Sequence, residues 1–272
     1  MNETFNFKRF FTYFKYDLKQ MWRNHAKAAI LIGGSGAILY ILWVLFGLVF
    51  TQQWHGAPFI ARVVMLVVAF AILEIYQART YGHLTDKKAG SNWLMIPASK
   101  TEKFVSMLLV TLLVIPILFF AVYLVIDGFL SLVDPTFGQS IANAAIHGAD
   151  DLSSIMAEIR SESPITFTSG SFIFLSLLGF VCNFMYFLLC GICFKKNKIV
   201  GAIAILFLLS TVMSLLSALV VPHFAQGLMD NASEAQLTHA LVNIMNGSTV
   251  FSILLTLGIG WGIWYRIKTL QH

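Results

Sequence analysis

Apolar residues gather in six runs, over about residues 26–50, 58–76, 104–126, 171–194, 199–221 and 248–265. Each is close to the ~20 residues a helix needs to cross about 30 Å of hydrocarbon. The pattern predicts an all-α, polytopic membrane protein: six transmembrane helices in a single transmembrane domain over residues 1–272. Before the first run, Phe7, Phe10, Phe11, Phe14, Leu18, Met21 and Trp22 recur on one stripe of a 3.6-residue helix. Lys8, Thr12, Lys15, Lys19 and Arg23 fall opposite, with Arg9 beside them. Aromatics on one face and cations on the other predict an amphipathic helix over 5–23, lying in the membrane interface. The other reading, a solvated basic leader, leaves the in-phase apolar residues unexplained.

The connections carry their own signals. Residues 51–57 are few and uncharged, which predicts a tight hairpin between the first two spans. Residues 77–103 are longer. Within them Ser99-Lys100-Thr101-Glu102 reads as a capping box, with Ser99 as N-cap and Glu102 reaching back. Pro97 blocks helical continuation from upstream, so a new helix is expected from Lys100 into the third span, with residues 89–98 a separate element. On the far side, 139–159 reads as a short surface helix. The acidic connection 128–170 reads as a solvated loop, with a lid or partner site as the alternative. The mixed segment 222–247 suits either a re-entrant pair of short helices or a flexible outer loop. Gly258 and Gly262, four apart, suggest a small-residue packing face.

Charge then fixes an orientation. Of 18 basic residues, all but Arg62 and Arg160 fall on the N-terminal segment, 77–103, 195–198 and the C-terminus, which are alternate connections. Asp127, Asp134, Asp150, Asp151, Glu158, Glu162, Asp230 and Glu234 fall on the others. Positive charge stays in the cytoplasm, so both termini are expected inside. A composition of 58% hydrophobic and 11% charged residues, against about 25% charged in soluble domains, leaves no room for a soluble domain. The net charge of +5 is accounted for by anchoring at anionic headgroups and gives no reason to expect nucleic acid. The first 25 residues do not read as a cleavable signal, having no short apolar core or small-residue cleavage site.

Candidate chemistry is sparse. Arg62, near the outer end of span two, is expected to snorkel to headgroups, or else to line a substrate path. Glu74, near the inner end, is expected to pair with a basic residue of the inner surface, or to mark a gate. Twelve residues apart, about 18 Å along a helix, they cannot meet. Cys182, Cys190 and Cys193 read as small apolar core thiols without the partners of a metal site. The histidines scatter over both sides. No protease, esterase or metal-hydrolase motif appears, and no metal site or bound cofactor is expected. Gly33-Gly34-Ser35-Gly36 lacks the ending of a phosphate loop and sits inside a span, where helix packing explains it. The sequons at Asn231 and Asn246 carry no further inference.

The segment Asn92-Trp93-Leu94-Met95-Ile96-Pro97-Ala98-Ser99-Lys100-Thr101-Glu102-Lys103-Phe104 resembles the leucine-x-x-proline-x-serine-x-x-glutamate stretch of type-2 ABC exporter permeases. With the leading amphipathic helix and six spans, the resemblance covers the architecture end to end. It implies a permease subunit without enzymatic activity, moving substrate by alternating access in a bacterial cytoplasmic membrane. The implied partners are a separate ATPase subunit, which holds ATP and Mg, and a second permease copy, identical or related. It implies that Asp86, Lys87, Lys88, Asn92, Trp93, Pro97, Ser99 and Glu102 belong to the element meeting the ATPase. The helix carrying Phe7–Trp22 would be the connecting helix. Against this stand a self-contained transporter or channel, a lipid-modifying membrane enzyme, and a non-transport immunity or assembly protein.

Overall fold

A computed structural model of the chain describes residues 5–54, 56–147, 169–229 and 234–269. The predicted charges Asp150, Asp151, Glu158, Arg160, Glu162 and Asp230, most of the 139–159 segment, and Asn231 lie outside the described residues. The described residues are helices and their connections, without strands.

The first helix, α1 (Phe7–Gly33), starts where Asn6 accepts hydrogen bonds from the amides of Lys8 and Arg9, satisfying donors a helix start otherwise leaves unpaired. It is helical without a break past residue 23, so no loop separates the predicted interfacial segment from the first span. The break comes instead at Gly34, after which α2 (Ser35–Phe46) continues the span and a wider turn over Gly47–Thr51 ends it. Glycines matter here because α6 passes close by. A Cβ on Gly33 would lie 3.1 Å from the carbonyl oxygen of Phe119 and from Cβ of Val122, so the glycine run serves helix packing.

The second span is α3 (Phe59–Thr80), followed by a single turn and α4 (Lys87–Met95). The chain bends at Ile96–Ala98, and α5 (Lys100–Leu109) begins with the predicted capping box intact. A π turn over Val110–Val114 then leads into α6 (Ile115–Val133). Pro116 stands directly after that turn. A proline lacks an N–H and crowds the carbonyl four residues back, and the widened turn absorbs the mismatch without ending the helix. Residues 141–147 form α7, and α8 (Ser169–Cys193), α9 (Lys198–Met229) and α10 (Glu234–Thr269) complete the bundle. The described parts of 222–247 are backbone continuations of α9 and α10.

Among the described residues, five helices are long and apolar enough to cross a membrane: Phe7–Phe50, Phe59–Thr85, Lys100–Val133, Phe174–Cys193 and Asn246–Thr269. The fifth predicted span falls in α9, of which Lys198–Val212 is the described apolar stretch. The core lies between α3, α5–α6, α8 and α10, where Leu73, Met107, Ile115, Phe119, Phe184, Leu188, Ile192, Ile263 and Ile267 are buried together. Phe70 stacks on Phe180 with ring centroids 5.3 Å apart. Helices α3 and α8 approach so closely that a Cβ on Gly191 would overlap the carbonyl of Ala78. Of the predicted small-residue pair, Gly262 faces Leu189 at 3.4 Å, whereas nothing lies within 4 Å of the Gly258 position. That half of the face is left open.

Candidate functional site

Long-range pairs bring the basic connections to one end of the bundle. Lys198 of α9 donates to the carbonyl of Gly82 and lies 3.8 Å from Asp86. Lys100 donates to the carbonyl of Lys268 at the end of α10, at 2.8 Å.

The centre of this end is the carboxylate of Glu102, which is fully buried. Its Oε2 accepts from the Ser99 amide at 2.9 Å, closing the capping box, while Ser99 Oγ accepts from the Glu102 amide at 3.2 Å. The same group reaches across to α1. Arg9 Nη2 donates to Oε1 and Arg9 Nε to Oε2, both at 2.7 Å, and the Asn6 amide donates to Oε1 at 2.9 Å. One carboxylate therefore caps α5 and clamps the first turn of α1 onto it.

Below this clamp the contact repeats each helical turn. Tyr13 lies four residues after Arg9, and its hydroxyl accepts from Trp93 Nε1 at 3.0 Å. Asp17 lies four further on, buried, and its Oδ2 accepts from Ser106 Oγ at 2.6 Å and Tyr81 Oη at 2.9 Å. Ser106 is itself four residues after Glu102, so two polar ladders face each other across α1 and α5, as i, i+4 spacing on adjoining helices allows. Lys103, also buried, completes the unit. Its Nζ donates to the Trp93 carbonyl at 2.8 Å and sits 4.7 Å over the Trp93 ring, placing a cation against the last carbonyls of α4.

The predicted docking residues therefore divide. Asp86, Asn92 and Pro97 are exposed, and Met95 beside them is 78% exposed. Trp93, Ser99 and Glu102 are buried. They hold the element in place and present no side chain outward. Lys87 and Lys88 lie at the start of α4.

The stripe on α1 also divides. Phe10 and Met21 are buried, and Phe14 and Leu18 pack against the core, but Phe7, Phe11 and Trp22 are exposed beside Lys15 and Lys19. The buried face centres on Phe10, Tyr13, Asp17 and Met21, roughly a quarter turn from the apolar stripe. Tyr13 and Asp17 are the residues the hydrophobic pattern missed. Their signal was the four-residue spacing of polar groups beside the stripe.

At the opposite end, Arg62 does not snorkel. It is 2% exposed and its Nη1 donates to Asp127 Oδ1 at 2.8 Å. Its Nη2 donates to the carbonyls of Phe137 at 3.0 Å and Gln139 at 2.6 Å, and the guanidinium lies 4.0 Å from the Phe137 ring centroid. Asp127 Oδ2 accepts from the Ile141 amide at 2.6 Å. The loop after α6 folds back over Arg62, so the cation finds a carboxylate and not a headgroup. Beside it, Asp134 accepts from Tyr40 Oη at 2.8 Å, Trp54 Nε1 at 3.1 Å and Thr136 Oγ1 at 2.7 Å. Burial alone would raise its pKa, but the bonds from Thr136, Tyr40 and Trp54 outweigh burial and hold it at about 2.

Glu74 is half-buried and meets Asn183 of α8; among the described residues no cation pairs with it. Cys190 is buried against Ala78 and Ala202, Cys182 is intermediate, and Cys193 is exposed at the end of α8. Among the described residues no group of three His, Cys, Asp or Glu side chains is placed to hold a metal ion.

Among the described residues, a bundle of apolar helices long enough to cross a membrane, with charged networks at its two ends, has the character of an integral membrane protein. Comparison with protein-family models, with curated proteins and with solved structures returned no match.

Proposed function

We propose that the chain is the permease subunit of an ATP-binding-cassette exporter, moving substrate by alternating access. A separate ATPase subunit, carrying ATP and Mg, docks on the exposed face of Asp86–Pro97, and a second permease copy completes the pathway. In this reading α9 provides the sixth crossing, and the first half of α1 is the connecting helix at the inner surface. Both termini are cytoplasmic, and the membrane is the bacterial inner membrane.

The observation that carries the reading is the Glu102 clamp. A push on α4 reaches α5 through Lys103 and Trp93, and reaches α1 through Tyr13 and Glu102. Because α5 continues through the π turn into α6, displacement at one end is transmitted along a whole span. A surface loop anchored at a single point would not transmit it.

The test is purification in mild detergent from native cells. A stoichiometric co-eluting protein with a Walker A motif is expected, and replacing Asn92 with Ala and Met95 with Glu should release it. These positions are exposed, so the fold survives the change. Elution without an ATPase, repeated after cross-linking, would move the assignment to a stand-alone transporter or an interaction protein.

A further inference from the structure

A groove of about 480 Å³ opens between the first turns of α1 and the bend after α4, lined in part by Lys8, Arg9, Thr12, Tyr16, Ile96 and Pro97. Among the described residues, two cations and no carboxylate line it. Arg9 turns its Nε and Nη2 onto buried Glu102, which neutralises that guanidinium and leaves the Lys8 ammonium as the net charge facing the groove. Lys8 is exposed, with the Thr12 and Tyr16 hydroxyls one and two turns along the same helix edge. Phe7 and Phe11, 72% and 55% exposed, flank it with aromatic surface.

The geometry points to an anionic phospholipid site: the groove takes a headgroup phosphate against Lys8, Thr12 and Tyr16, with the acyl chains along Phe7 and Phe11. The volume falls within the range of small-molecule sites. A cationic, hydroxyl-lined cleft bordered by exposed aromatic rings matches a ligand charged at one end and apolar at the other. A soluble anion would leave the aromatic border without a partner, and an acidic protein segment would not use it. The site rests on the interfacial placement of α1 given under Proposed function. A lipid bound there bridges α1 to the Ile96–Pro97 bend and so braces the same joint as Glu102.

The test uses the full chain, delipidated and reconstituted in phosphatidylcholine nanodiscs with a minority of phosphatidylglycerol. Lipids retained on release are counted by native mass spectrometry. The wild type should retain phosphatidylglycerol preferentially. Lys8→Gln should lower that retention about fivefold, the loss expected for one lysine at an anionic surface. Lys19→Gln, an equal charge loss on the exposed flank outside the groove, should leave it unchanged. Equal losses in both variants would overturn the site in favour of a diffuse cationic belt. Displacement by millimolar inorganic phosphate would overturn the lipid assignment, as would intact lipid retention in Lys8→Gln with loss of a bound acidic protein.

A bimane label on Phe11→Cys, read against brominated lipid, separates the two readings. Absence of quenching overturns the interfacial placement and the site with it. Quenching together with equal lysine losses overturns the groove alone.

Discussion

Arg62 and Asp127, 65 residues apart in sequence, meet at 2.8 Å with side chains 2% and 3% exposed. Around them the carbonyls of Phe137 and Gln139 and the amide of Ile141 take up further hydrogen-bonding groups. Removing one member leaves the other charged and buried, which costs about 3–5 kcal/mol. Arg62→Met and Asp127→Leu should each lower the unfolding temperature in detergent sharply. The double variant should recover part of the loss, because a buried pair replaced whole by apolar groups leaves no orphan charge. A double variant as unstable as the sum of the singles would contradict the pairing.

Ser99→Ala removes a helix cap and should cost about 1 kcal/mol, visible as faster amide exchange at residues 100–103. Arg9→Ala leaves that cap in place and should instead loosen the first turns of α1. Glu102→Ala should loosen both segments at once, since its carboxylate bonds to both. Hydrogen exchange confined to α5 in the Glu102 variant would show that the clamp does not hold α1.

Gly191→Leu drives a side chain into the Ala78 carbonyl and should separate α3 from α8. An overpacked core loses about 1–3 kcal/mol or more, read as a lower unfolding midpoint. Gly258→Leu meets open space and should leave the monomer's midpoint unchanged, which makes it the matched control.

Asp134 has a carboxyl held at about 2, below its ordinary 3.8. A depressed pKa means that the folded state favours the charged form. The stabilisation is fully present above the ordinary value and is lost as pH falls through the folded one. Between about pH 4 and pH 2 the wild type should lose more of its unfolding temperature than Asp134→Asn, with the two curves parallel near neutrality. Parallel curves through the acid range would show that the bonds from Tyr40, Trp54 and Thr136 do not form.

Much of the architecture was legible in the chain. Apolar length located five helices able to cross a membrane among the described residues, because hydrocarbon demands that length. Ser99 and Glu102 announced the start of α5 because a capping box is a local hydrogen-bond pattern, closed within four residues. Pro97 marked its break for an equally local reason, whereas the break at Gly34 inside the first span was not foreseen.

What the chain could not disclose is which helix lies beside which. The hydrophobic stripe of α1 identified an apolar face, but α5 and α6 cover a face roughly a quarter turn away, so Tyr13 and Asp17 are buried and Phe7, Phe11 and Trp22 are not. Glu102 read as a cap and, by resemblance, as part of the docking element; its bond to Arg9, 93 residues distant, exists because the first turns of α1 and α5 come together. Arg62 read as a lone cation bound for headgroups, until the loop after α6 brought Asp127 and two carbonyls to it. Periodicity and caps depend on neighbours within a turn or two, which the sequence contains. A buried charge depends on partners brought from elsewhere, and only the packing of the helices supplies them.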